Sequence, residues 1–297
     1  MTSDARLDAF TQNRPLLWSI AYRMLGSWAD AEDVVQETFV RWQRTTEQEI
    51  ASPRAFLVTI VSRLCINQLQ SARARREEYV GQWLPEPVPT SQAGDLDAAL
   101  RVDESLSTAF LVLLEKLTPA ERAVFLLREV FEYEYDEIAD IVGQNAINCR
   151  QILRRARQHV ADCRPRFTSS PEQRSGLAQQ FIDASRRGDM RGLLDLLSDD
   201  VVFYADGGGK AAAIPHPVRG ADAVARLLIN AQRKFVPAGV ETRILPLNGQ
   251  PGVIAYLAEQ PTSAVTFGVA EGRIAAIYLV TNPEKLRALP LRRDCAS

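Results

Sequence analysis

Histidine is scarce in this chain, with two residues in 297, and its four cysteines include no CxxC pair. Cys65, Cys149, Cys163 and Cys295, with His159 and His216, lack the clustered spacing that a zinc site requires. No metal and no other cofactor is expected. Long hydrophobic runs are missing as well: nothing approaches the roughly 20 apolar residues that cross a bilayer. Nor does the chain open with a basic-then-apolar leader. The expectation is a cytoplasmic protein with reduced thiols and no membrane partner. Net charge is nearly absent, with 35 Lys and Arg against 37 Asp and Glu. That balance argues neither for nor against a nucleic-acid partner, but the distribution is uneven. Basic clusters stand at Arg73, Arg75 and Arg76 and along 150–166, whereas 30–37 is acidic.

With 46% hydrophobic residues the chain can bury real cores, and its length suggests two or three units. Its most informative stretch is 117–160. Thr118-Pro119-Ala120-Glu121 combines a side-chain cap, a proline at the first helical position and a glutamate three residues after the cap. Val124, Leu127 and Phe131 then repeat at helical spacing. A second helix over 135–142 stops at Gly143. In a third, Cys149, Ile152, Leu153, Ala156 and Val160 form one stripe, and Gln151, Arg154, Arg155 and Gln158 fall opposite. Charged residues opposite an apolar stripe are often only a solvated face. Here the cap, the glycine turn and the guanidiniums and amides, which can bond base edges and phosphates, favour a DNA-reading helix-turn-helix.

The N-terminal segment reads as helices alone. Leu16, Leu17, Ile20, Ala21, Met24 and Leu25 trace one stripe, ended by Gly26. Ser27 can cap a second helix with Val34, Val35, Thr38, Phe39 and Trp42 inside. Ser52-Pro53 opens a third, with Phe56, Leu57, Ile60, Val61, Leu64 and Ile66 as apolar positions. Residues alone imply a small bundle with an acidic side and a basic end.

At this point a family resemblance enters. The run 21–27, Ala-Tyr-Arg-Met-Leu-Gly-Ser, and the run 30–39, Asp-Ala-Glu-Asp-Val-Val-Gln-Glu-Thr-Phe, resemble the second region of bacterial sigma factors of the extracytoplasmic-function class. The segment 117–160 resembles their fourth region. The resemblance implies core RNA polymerase and promoter DNA as partners. It places Asp33, Gln36 and Glu37 on the polymerase. It places Arg63, Asn67, Arg73, Arg75 and Arg76 on the downstream promoter element, and Asn148, Arg150, Gln151, Arg154 and Arg155 on the upstream one. Three further motifs resemble signatures of a subgroup with an appended SnoaL-like/NTF2-like domain. They are Trp83-Leu84-Pro85-Glu86-Pro87, Asp206-Gly207-Gly208-Gly209-Lys210 and Asn282-Pro283-Glu284-Lys285-Leu286. By the same resemblance these carry regulatory contacts between domains.

The domain expectation is then a region 2 domain over 1–80, a linker over 81–105, a region 4 domain over 106–165 and an appended domain over 172–290. Pro85, Pro87 and Pro89 stiffen the linker toward an extended form. At about 3.3 Å per residue it could span roughly 70–80 Å, matching the roughly 70 Å of two DNA turns. Trp83, an aromatic among prolines, is expected to dock on a surface. Beyond a second linker over 164–171, helices over 173–187, 190–197 and 220–235 precede or interleave with strands over 201–204, 240–247, 253–259, 263–270 and 274–280. Turns are expected at 248–252 and 271–272. This is an α+β unit resembling the cone-shaped SnoaL/NTF2 fold, so the fold class is two all-α domains followed by an α+β cone.

Tyr204, Asp206, Lys210, His216, Tyr256 and Tyr278 are the groups from which a cone enzyme would draw. They supply no evident acid–base pair. The expectation is no enzyme, with a small-molecule ligand in the appended pocket left open. The competing reading is a SnoaL-like enzyme, or small-molecule binder, tethered to a DNA-binding module.

Overall fold

The computed structural model describes residues 3–45, 50, 52–76, 79–90, 104–161 and 170–294. The chain divides into two compact units. The first comprises 1–78, 92–106 and 110–164; the second comprises 79–91, 107–109 and 165–297. The expected linker over 81–105 is thus shared between the units, and its 91–103 stretch lies outside the described residues. The second linker, 164–171, likewise lies outside them over 164–169.

The first unit is all helical. α1 (Ser3–Leu25), α2 (Trp28–Arg44) and α3 (Pro53–Arg76) form the expected bundle around Leu17, Trp18, Ile20, Val35, Trp42, Leu57 and Val61, all buried. The caps are those anticipated: Ser27 Oγ accepts from the Asp30 amide at 3.2 Å, and Ser52 Oγ from Ala55 at 3.2 Å. Before the helix-turn-helix stands a helix missed in the sequence, α4 (Thr108–Leu114). α5 (Pro119–Glu129) carries the full capping box between Thr118 and Glu121. α6 (Tyr135–Val142) ends at Gly143 in the left-handed region, and α7 (Ala146–Ala161) follows. Gly143, at φ 70°, is a turn position that favours glycine.

Arg122 of α5 is the charged group about which this unit closes. It is 3% exposed, donates twice to the Leu114 carbonyl (3.0 and 2.7 Å) and once to the Met24 carbonyl (2.7 Å), and pairs with Glu115 at 2.8 Å. Burial pulls its pKa down to about 9, which still leaves the guanidinium charged at neutral pH. Three helical segments meet on that one side chain.

The second unit begins with α8 (Pro171–Arg187) and α9 (Met190–Leu196). β1 (Leu197–Asp206), β2 (Val218–Arg219) and α10 (Ala221–Phe235) follow. β3 (Val240–Leu247), β4 (Gln250–Leu257), β5 (Gln260–Ala270) and β6 (Arg273–Val280) complete one six-stranded sheet. Its order is β2-β1-β6-β5-β4-β3, with β1 parallel to β6 and all other pairs antiparallel. Phe181, Ile182, Leu193, Val224, Phe267 and Ile277 form the core with which α8 to α10 cover the sheet.

Three details correct the sequence reading. β1 begins at Leu197 rather than Val201, because Leu197 pairs with Ile274 across the sheet despite the polar residues between. The turn expected over 248–252 is only Asn248-Gly249, at φ 51° and 70°, since pairing continues to Leu247 opposite Gln250. Gly252 sits inside β4, where a Cβ would come within 2.7 Å of the Leu247 side chain. The short strand β2 was not anticipated.

The capping box and the buried arginine should differ clearly on mutation. Thr118→Ala is expected to cost about 1 kcal/mol in urea unfolding. Arg122→Met keeps the apolar stem but removes the donors to the Leu114 and Met24 carbonyls and the ion pair with Glu115, and should cost about 3 kcal/mol. Equal losses would show that Arg122 does not hold the unit together.

Candidate functional site

The outward face of α7 is built from its own periodicity. Asn145 caps it by accepting the Asn148 amide at 2.8 Å. Cys149, Leu153, Ala156 and Val160 are at most 2% exposed and Ile152 9%, so this stripe is the core side. Asn148, Arg150, Gln151, Arg154 and Arg155 all point away from it and are exposed. Arg150 lies 4.7 Å from the Tyr135 ring, with Arg128 at 5.0 Å from the same ring, so α6 and α7 are braced by a shared aromatic. Arg157 is paired with Glu129 at 2.7 Å.

On the bundle, Asp33, Gln36 and Glu37 are exposed along α2, and Glu37 pairs with Arg41 at 2.7 Å. Asn67 of α3 is exposed. Arg63 is engaged: its Nε donates to the Ile141 carbonyl at 2.9 Å and its Nη2 to Asp140 at 2.7 Å. Those carbonyls end α6, where the helix dipole leaves partial negative charge. A group expected on DNA therefore sits on the helix-turn-helix. Arg73, Arg75 and Arg76 lie on the last helical turns of α3, and their side chains lie outside the described residues.

The three short motifs converge in the second unit. Asp206 ends β1 and is fully buried. Its Oδ2 accepts from Lys285 Nζ at 2.7 Å and from the Leu84 amide at 2.8 Å, and its Oδ1 from the Tyr79 hydroxyl at 2.6 Å. Lys285 also donates to the Leu84 carbonyl and lies 4.1 Å from the Trp83 ring centroid and 5.3 Å from that of Tyr79. Asn282 Nδ2 donates to the Tyr79 hydroxyl at 3.1 Å. Burial, then the bond to Asp206, holds the Tyr79 phenol well above its usual range, so it remains a donor. Lys210 and Glu284 pair on the surface of the same clasp, joining two motifs. Further along, the Asn248 amide donates to the Val88 carbonyl at 2.8 Å, and Asn248 Oδ1 accepts from Val88 N at 3.1 Å. Gly249 N donates to Thr90 at 3.0 Å. Residues 79–90 thus lie along this unit, held at both ends.

Trp83 and Leu84, Asp206 and Lys210, and Asn282, Glu284 and Lys285 therefore bring the three motifs into one structure, with Leu84, Pro85 and Pro87 buried. Sequence reasoning missed Tyr79 and read Asn248 only as a turn residue, not as a partner of Val88; both lie outside all three motifs. It also found no partner for Asp206, whose cation stands 79 residues away. Asp206 is committed to the clasp, His216 is exposed, Tyr204 stacks on Tyr278 at 5.3 Å and the Tyr256 hydroxyl donates to the Pro290 carbonyl at 3.3 Å.

Comparison with known proteins gives a consistent result. Residues 9–75 match the family model for sigma-70 region 2, and residues 107–160 that for sigma-70 region 4. The ECF RNA polymerase sigma factor SigJ of Mycobacterium tuberculosis (strain ATCC 25618 / H37Rv) is 37% identical over 295 residues, 95% of this chain and 94% of that protein. The probable ECF RNA polymerase sigma factor SigI of the same strain is 32% identical, covering 96% of each. The crystal structure of M. tuberculosis SigJ aligns over 96% of this chain and 100% of its own, at 33% identity and a TM-score of 0.78.

The clasp predicts a specific steric sensitivity. Gly208 has φ 58°, and a Cβ there would come 2.2 Å from Asn282 Nδ2 and 3.0 Å from the Tyr79 hydroxyl. Gly208→Ala should therefore free residues 79–90, raising amide hydrogen exchange at Leu84 and Val88 at least tenfold while α8 to α10 stay protected. Unchanged exchange at those two amides would contradict the arrangement.

Proposed function

Because the chain belongs to the ECF RNA polymerase sigma factors, we propose that it directs core polymerase to one promoter class and that its second unit controls this in cis. The observation that carries the second half is the clasp: Asp206 and Lys285 bury their charges against the backbone of Leu84.

The roles divide as follows. Asn148, Arg150, Gln151, Arg154 and Arg155 read the upstream element in the major groove or hold its phosphates. Arg63, Asn67, Arg73, Arg75 and Arg76 bind the downstream element, where opened strands need a basic track. Asp33, Gln36 and Glu37 offer an acidic face to polymerase, which acts mainly on encounter rate and specificity. Arg63 has two alternative sets of acceptors, the α6 carbonyls or DNA, so leaving the first accompanies promoter binding. The protein acts in the cytoplasm, and no described helix is long and apolar enough to cross a membrane. The second unit is regulatory rather than enzymatic, a reading supported by the commitment of Asp206 to the clasp and by the apolar core beneath the sheet.

Regulation follows from the path of the linker. Holding residues 79–90 fixes much of the connection between the two DNA readers, leaving only the remainder to adjust to promoter spacing. A closed state favoured by about 2–3 kcal/mol would leave roughly 0.6–3% of molecules competent. Opening the clasp relieves that restraint, while the intact domain still contributes to the active complex.

Two measurements test this reading. Gln151→Ala and Arg154→Ala should each weaken transcription about fivefold to a hundredfold and relax preference at one base pair; full activity in both folded variants would remove α7 from promoter reading. A chain ending at Thr281, which loses Asn282 and Lys285, should transcribe more than the full chain, and a chain ending at Thr168 less. Equal output from all three would remove the regulatory role.

A further inference from the structure

The outward face of α7 holds one residue that amide and guanidinium chemistry does not account for. Ile147 is 67% exposed, one of a handful of large apolar side chains so placed in the described structure. At roughly 100° per residue it stands about 160° round the helix from Cys149, the middle of the buried stripe. Gln151 and Arg154 share that side of the helix, one and two turns further on. Ile147 occupies the first turn, directly after the Asn145 cap. The N-terminal residues of a recognition helix approach base edges in the major groove. An aliphatic side chain there cannot hydrogen-bond a base. What it can do is bury against the C5-methyl group of thymine, the one apolar feature of the major-groove edge.

We propose that Ile147 is a specificity-determining residue that reads a thymine methyl in the upstream promoter element. This rests on the reading of α7 as the promoter-reading helix. The geometry gives the position a division of labour. Gln151 and Arg154 supply polar readout deeper along the helix, and Ile147 selects thymine over cytosine at the end that enters first. Its exposure in the free protein is the cost of that contact, because no core neighbour covers it.

The test uses full-length protein with bacterial core polymerase and promoter duplexes selected from a random library. Each thymine of the selected upstream element is replaced singly by deoxyuridine, which deletes only the methyl group. At one position the replacement should weaken binding of the unmodified protein about threefold to fivefold, the effect of withdrawing one buried methyl. Ile147→Ala should weaken binding to the thymine duplex by a similar factor and respond to deoxyuridine at that position by less than 1.5-fold. Because the side chain is exposed, the variant should unfold at an unchanged temperature. Indifference of the unmodified protein to every replacement, or undiminished deoxyuridine sensitivity in Ile147→Ala, would overturn the proposal. Gln151→Ala and Arg154→Ala serve as controls on the same duplexes. If they too bind normally, the promoter-reading assignment of α7 has failed; if only the deoxyuridine effect is missing, the failure belongs to Ile147.

Discussion

The second unit depends on a charge pair that cannot be solvated. Asp206 is fully buried and Lys285 nearly so, and withdrawing two such ions from water costs several kcal/mol apiece. Their mutual attraction repays this only if the remaining lone pairs and protons are also satisfied. Those groups come from residues 79–84: the Tyr79 hydroxyl, the Leu84 amide and the Leu84 carbonyl, with the Trp83 ring beside the ammonium. The requirement works as a register device. An apolar linker could slide along an apolar groove, whereas this one satisfies the pair at a single alignment. The Asn248-Gly249 turn then fixes the other end at Val88 and Thr90.

Much of this was legible in the sequence because it is local. Thr118, Ser27 and Ser52 announced helix starts as local capping residues, and Gly143 and the turn over 248–252 were read from backbone freedom. The stripe from Cys149 to Val160 identified both the core side and the exposed side of α7. What stayed hidden was non-local. Asp206 finds its cation 79 residues on and its phenol 127 residues back. The polar start of β1 is strand only because β6 lies beside it. Tyr79 had no signal in the chain, sitting between an acidic pair and the proline motif. The prolines of the linker describe the form of a segment and not the surface that receives it.

The first unit repeats the theme with arginines. Arg122 satisfies carbonyls from two other helical segments, and Arg63 satisfies two at the end of α6. The first is buried and structural. The second is exposed, at the surface of the helical unit. Surface guanidiniums change partners at small cost, whereas buried ones do not.

The central claim is that Asp206 and Lys285 act together to hold the linker. A double-mutant cycle of Asp206→Asn and Lys285→Met tests it most directly, with the opening free energy of the Leu84 amide from hydrogen exchange as readout. Each single change leaves the other charge buried without its counter-ion, so the double variant should recover much of the loss. The cycle should give a coupling of about 2 kcal/mol or more. Additive effects, within about 0.5 kcal/mol, would show that the pair does not hold the linker and would contradict the account.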